Sequence, residues 1–113
     1  IHCTGAGRVM LAFRPAAWAE AWLRDARLSP VTAASVTQKR ELRRLVAEVR
    51  ERGVAVTLGE ATEGVAGISG PVFDARGEVV ASLVLAGPIA RVEPKLKDLS
   101  RRVTEACRDV SRR

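Results

Sequence analysis

Hydrophobic and polar positions change their period twice along the chain. From Val9 to Val49 apolar residues recur three or four apart. From Val54 to Ala86 they alternate or run together, and from Leu96 to Val110 the three-to-four spacing returns. The first and last regimes mark amphipathic helices and the middle one marks strands. Thr4 is placed to cap a helix running through Phe13, with Val9, Met10 and Phe13 on one side. Pro15, a residue favoured in a first helical turn, starts a second helix that fades near Ala26. Trp18, Ala21 and Trp22 form its apolar stripe, and a loop follows over residues 28–36. Thr37 caps a third helix, with Glu41 near the capping-box position and Gly53 at the end. Leu42, Leu45, Val46 and Val49 are its buried stripe. Residues 54–58 predict a strand. Pro94 opens the last helix, with Leu96, Leu99, Val103, Ala106, Cys107 and Val110 on its inner face.

Residues 64–88 predict a β-hairpin. Its first arm closes at Val72 and Phe73, Asp74-Ala75-Arg76-Gly77 makes the turn, and residues 79–86 form the second arm. Asp at the first turn position and Gly at the fourth suit a type I turn. The second arm is a nearly unbroken apolar run, so both of its faces are expected to be covered. The first arm carries Gly64, Gly67 and Gly70. Glycine in a strand marks a bulge or a close approach to the backbone, so the hairpin points to a sheet with a pocket against it. Three helices, three strands and a helix make an α+β domain with an antiparallel sheet and flanking helices. Three strands is thin for such a core, and the chain starts at Ile1 without a methionine. The expectation is a fragment of something longer, with the early strands of the domain missing and an exposed edge that pairs with other chains.

Composition narrows the picture. The 113 residues suffice for one modest core, and no apolar run approaches a membrane span. No signal-peptide pattern is present, so the expected location is cytoplasmic, with no membrane partner. The net charge is +6, which invites a nucleic-acid reading. The basic residues are, however, interleaved with acids, as in Lys39-Arg40-Glu41-Leu42-Arg43-Arg44, the pattern of a solvated helix face. Cys3 and Cys107 give no disulfide framework, and Cys107 falls on an apolar helix face.

No motif encodes catalysis. Gly5-Ala6-Gly7 is half a dinucleotide fingerprint, without a preceding strand. Gly67-Ile68-Ser69-Gly70-Pro71 lacks the glycine that a nucleophile elbow needs two residues after its serine. His2 is the sole histidine, and His2 with Cys3 lacks metal-ligand spacing. Glu60 and Glu63 flank the hairpin, where loop solvation accounts for them. The expectation is a protein that is not an enzyme and holds no metal and no cofactor.

Taken in order, these segments resemble the effector-binding domain of the IclR family of bacterial transcriptional regulators. The stretch His2-Cys3-Thr4-Gly5-Ala6-Gly7-Arg8-Val9-Met10-Leu11-Ala12-Phe13 looks like that family's H-x-[ST]-[AG]-x-G-[KR]-x-[LM]-L-A pattern. Gly64-Val65, Ile68, Pro71-Val72-Phe73-Asp74, Gly77 and Gly87-Pro88 fit its hairpin core. The resemblance implies a GAF-like fold in which a small metabolite sits beside the sheet. It also implies operator binding through a winged helix-turn-helix domain not present in this chain, and a homodimer or homotetramer. The effector positions it carries over are Gly5, Ala6, Thr57, Gly67, Val84 and Ala86. Family polar side chains give way there: an aspartate to Thr57, a cysteine to Gly67 and two serines to Val84 and Ala86. Two readings stay open. The partner implied is a small organic or aromatic acid or a more apolar effector, and one reading is a roomier, less polar pocket for a bulkier or more hydrophobic effector, with weak or no binding of glyoxylate-sized acids. The other is an assembly module with a degenerate pocket and no effector.

Overall fold

Thr4 starts the first helix as its spacing predicts. Its Oγ1 accepts the Gly7 N–H at 3.0 Å, at the head of α1 (Gly5–Phe13). The computed structural model describes residues 4–112. Helix α2 spans Ala16–Asp25, with Pro15 one position before it. Its buried residues are Ala19 and Leu23, while Trp18 and Trp22 are only half-buried, so the inner stripe is turned one residue from the predicted one. Helix α3 spans Lys39–Arg52; its N-cap is Gln38, and no side chain caps it. Thr37 therefore lies one residue too early to cap, and Glu41 lies in the first turn, where its carboxylate suits the helix dipole. Leu42, Val46 and Val49 are buried and Leu45 half-buried on its inner face, and Gly53 closes it at φ 84°.

Among the described residues the sheet has three antiparallel strands in the order β1 (Ala55–Leu58), β2 (Val65–Phe73), β3 (Val79–Pro88). The hairpin turn forms as expected. The Gly77 N–H donates to the Asp74 carbonyl at 3.0 Å, and Gly77 takes φ 79°, a conformation that glycine adopts without strain. Asp74 Oδ1 also accepts the N–H groups of Arg76 and Glu78. Beyond the turn the ladder shifts between Val72 and Phe73, so Val80 has no cross-strand partner. Central β2 contains Pro71, which cannot donate to a ladder. β1 begins at Ala55, opposite Ser69, so no strand stands where the Pro71 N–H would point.

Residues buried on both faces sit on β2, which is covered from Ala66 to Val72. The expectation that the second arm is covered on both faces fails. Among the described residues β3 is an edge strand, with Val80 58% and Val84 51% exposed. An apolar run shows that a strand accepts burial; the neighbouring strands and helices decide whether it is buried.

A short helix α4 (Ile89–Val92) and a 3-10 turn holding Pro94 lead into α5 (Leu96–Ser111), so the last helix opens two residues after the predicted proline. The strand pleat divides the core into two layers. Ala55, Phe73 and Val79 pack against α1, α2 and α3, with Phe13 and Phe73 edge-to-face at 5.7 Å. Ala66, Ile68 and Val72 pack under Val92, Val103 and Cys107 of the C-terminal helices. Val110 is 42% exposed, outside that core. Burial pushes the Cys107 thiol pKa up, with partial relief from the Leu83 backbone, so this cysteine serves as a small hydrophobe and not as a nucleophile. Among the described residues no helix is long and apolar enough to cross a membrane.

Candidate functional site

The pleat puts two cross-strand rows on the α1 side of the sheet. One row is Ala55, Ser69 and Val84; the next is Thr57, Gly67 and Ala86. The N-terminus of α1 lies over these rows. A Cβ built on Gly5 would stand 2.3 Å from Ser69 Oγ, so the helix comes this close only because residue 5 has no side chain. The far end of α1 is held by Arg50, whose Nε donates to the Ala12 carbonyl at 2.7 Å. A cation at a helix C-terminus also suits the helix dipole.

All six residues carried over by the resemblance line one cleft of about 170 Å³: Gly5, Ala6, Thr57, Gly67, Val84 and Ala86. Gly5 and Gly67 are buried, Ala6 and Thr57 half-buried, Val84 and Ala86 exposed at the mouth beside β3. Thr4, Thr62 and Ser69 add hydroxyl groups, and no charged side chain lines the cleft. Ser69 and Thr62 were missed as site residues. Ser69 was legible in principle, because it stands two positions from Gly67 and a strand places such residues on the same face. Thr62 sits in the loop before β2, where no periodicity applies.

Helix α1 adds backbone donors to these hydroxyls. Its Gly7 N–H is taken by Thr4 Oγ1 and its Arg8 N–H by the Thr4 carbonyl at 3.1 Å. The Gly5 and Ala6 N–H groups have no hydrogen-bond partner among the described residues. Two free N–H groups at a helix N-terminus favour an anion or a carbonyl oxygen. No base that would activate one of these hydroxyls as a nucleophile stands among the cleft-lining residues. Among the described residues no three His, Cys, Asp or Glu side chains gather to hold a metal; His2 and Cys3 lie outside them.

One wall of the cleft is tied down by a buried ion pair. Arg8, 1% exposed, donates through both terminal nitrogens to the Glu60 carboxylate, one contact at 3.0 Å between Nη1 and Oε2 and the other between Nη2 and Oε1. Loop solvation therefore does not account for Glu60, whose side chain is 11% exposed. The backbone of the same loop is held by Thr32 Oγ1, which donates to the Gly59 carbonyl at 2.6 Å. Ser35 Oγ donates to the Glu60 carbonyl at 2.7 Å. Residues 59–64 are thus fastened to α1 and to the loop before α3.

The close packing at Gly5 carries a direct test. Gly5→Ala is expected to cost about 1–3 kcal/mol, because the new methyl overlaps Ser69 Oγ. Ser69→Gly in the same chain should return part of that loss, measured by urea denaturation of the single and double variants.

The profile described as bacterial transcriptional regulator IclR C-terminal matches residues 1–112. The chain belongs to the IclR family. Its GAF-like fold is that of other IclR C-terminal domains: the Thermotoga maritima IclR crystal structure superposes with a TM-score of 0.92 at 30% identity, over 98% of this chain and 45% of that one. The HTH-type transcriptional regulator BhcR of Paracoccus denitrificans is 32% identical over 112 residues, 98% of this chain and 40% of its own length. A PobR transcription factor inducer-binding domain from Acinetobacter, a double mutant solved with 3-hydroxybenzoic acid, superposes with a TM-score of 0.87 over 97% of this chain and 64% of that one. At 20% identity the PobR domain shows the fold alone. The chain spans about two-fifths of the length of the curated relatives it matches. IclR relatives are transcriptional regulators, so the domain is regulatory and not enzymatic.

Proposed function

We propose that this domain senses a small organic acid in the cleft between α1 and the sheet, on behalf of a longer DNA-binding regulator. The observation that carries the reading is the pair of N–H groups at Gly5 and Ala6, without a partner among the described residues and set over a cleft without charged side chains. A carboxylate or carbonyl oxygen placed there is met by backbone donors and the helix dipole. The rest of the ligand lies across Thr57, Gly67 and Ala86 and extends past Val84 into the open mouth. The cleft, at about 170 Å³, is smaller than the ~300–1,000 Å³ of sites for drug-sized ligands, so a bulky effector extends beyond it. The solved complex of the PobR domain with 3-hydroxybenzoic acid supports the ligand class by analogy of fold. In the complete regulator, binding shifts the population of assembled states, and a winged-helix domain outside these residues reads the shift on operator DNA. Dimers or tetramers, the assemblies that the family resemblance implies, are the states whose populations would shift.

The test is a thermal-shift screen. 3-Hydroxybenzoic acid and similar aromatic acids are expected to raise Tm, by up to about 2.7 kcal/mol of stabilisation at a hundredfold excess over Kd. Glyoxylate should raise it little. Gly67→Val, which fills the cleft from its floor, should abolish the rise; the Cβ alone would lie 3.1 Å from Thr57 Oγ1. A flat response to a broad set of acids sinks the sensing reading and leaves an assembly module.

A further inference from the structure

A second concavity lies on the other face of the sheet, away from the cleft. It is a groove of about 630 Å³ between β1 and α5. Val54, Val56 and Leu96 form its apolar floor, and Arg52, Lys97 and Arg108 stand on its rim. These three cations make no ion pair among the described residues, whereas Arg101 beside them is paired with Asp98 at 2.6 Å and holds that carboxyl below its ordinary range. Glu105 is the one acid lining the groove, and it faces Arg101 at 3.5 Å.

The groove also borders unpaired backbone. Among the described residues β1 pairs only with β2. The Gly59 N–H donates to the Val65 carbonyl at 2.9 Å, so the hydrogen-bonded pairs along this ladder fall at Thr57 and Ala55. Alternation then turns the N–H and C=O groups of Val56 and Leu58 off the free edge. Free edge, apolar floor and unpaired cations coincide along four residues of strand.

We propose that β1 is a docking edge for an extended acidic segment of a partner protein, which adds to the sheet as a fourth strand. Main-chain bonds to Val56 and Leu58 give such a segment its register. Its apolar side chains cover Val54, Val56 and Leu96, and its carboxylates meet Arg52, Lys97 and Arg108. A second copy of this chain is a poor occupant, because two cationic rims would face each other across the new ladder. Nucleic acid is a poor occupant as well: the floor is aliphatic and offers no ring on which a base stacks.

The probe is a labelled peptide of about nine residues alternating glutamate and valine, followed by fluorescence anisotropy with the full 113-residue chain at ~50 mM salt, where charges are weakly screened. Saturable binding is expected, while a lysine–valine peptide of equal length stays free. Lys97→Glu with Arg108→Glu, both exposed, should weaken binding about tenfold while the far-ultraviolet circular dichroism stays that of the parent. Val56→Pro should abolish it by removing the outward donor; Val84→Pro on the β3 edge should not. Amide chemical shifts should move on β1 and α5. Equal binding of both peptides, indifference to charge reversal, or shifts confined to β3 would overturn the proposal. So would preference for a duplex oligonucleotide, or self-association through β1 that the peptide does not displace.

Discussion

Arg8→Met is expected to cost about 3–5 kcal/mol of unfolding free energy, a large share of the ~5–15 kcal/mol that a domain has. The loss does not measure the worth of an attraction. It arises because Glu60, 11% exposed, is left in a largely buried site with its partner gone. Glu60→Gln should cost a similar amount from the other side, leaving the guanidinium buried with its Nε already without a hydrogen bond. The double variant should lose much less than the sum of the two, since it strands no charge. Urea denaturation checks this through a lower midpoint at an unchanged slope. The single-variant losses should also persist at high salt, because the pair is shielded from mobile ions. A loss under ~1 kcal/mol that disappears in salt would place the pair in the class of surface ion pairs. Since the pair fastens residues 59–64 to α1, a folded Glu60→Gln domain should also hold cleft ligands more weakly than the parent.

Ile68→Ala is the second large effect, at about 2–5 kcal/mol. Ile68 is fully buried in the central strand, beneath Val103 and Cys107. The upper part of that range is expected because the layer is already in contact where α5 meets the sheet. A Cβ on neighbouring Gly70 would lie 2.6 Å from Cys107 Sγ, so α5 cannot settle to fill the void. Ile68→Leu, which conserves volume, should cost less than ~1.5 kcal/mol, and Val110→Ala on the exposed end of α5 under ~0.5 kcal/mol. Equal losses for Ile68→Ala and Val110→Ala would contradict the two-layer core. Ile68 points away from the cleft while Gly67 and Ser69 line it, so ligand affinity should survive at temperatures where Ile68→Ala remains folded.

The sequence was most informative where local chemistry decides the outcome. Thr4, Gly53 and Gly77 sit where a cap, a helix stop and a turn require them. The six cleft residues were reached through family resemblance, and the pleat brings them together from three strands and a helix. Contacts made at long range were not legible. Arg8 and Glu60 are 52 residues apart, and in a chain rich in both charges nothing marks those two as partners. The apolar run of β3 read as covered because periodicity reports what a strand tolerates and is silent on what lies beside it. The groove along β1 left no trace, since its floor joins Val54 and Val56 to Leu96 of α5 and its rim comes from α3 and α5.

Pro71 has a consequence for how the sheet avoids misfolding. If β1 slipped by two residues toward the end of β2, Ala55 would face Pro71, and the ladder would lose a donor. A slip by two in the other direction would bring Leu58 opposite Gly64, at φ 79° outside the strand conformation. A slip by one would send Thr57 through to the α5 side and strip the cleft of its hydroxyl. One ring without an N–H and one backwards-turned glycine therefore proofread the alignment of a four-residue strand too short to specify its own.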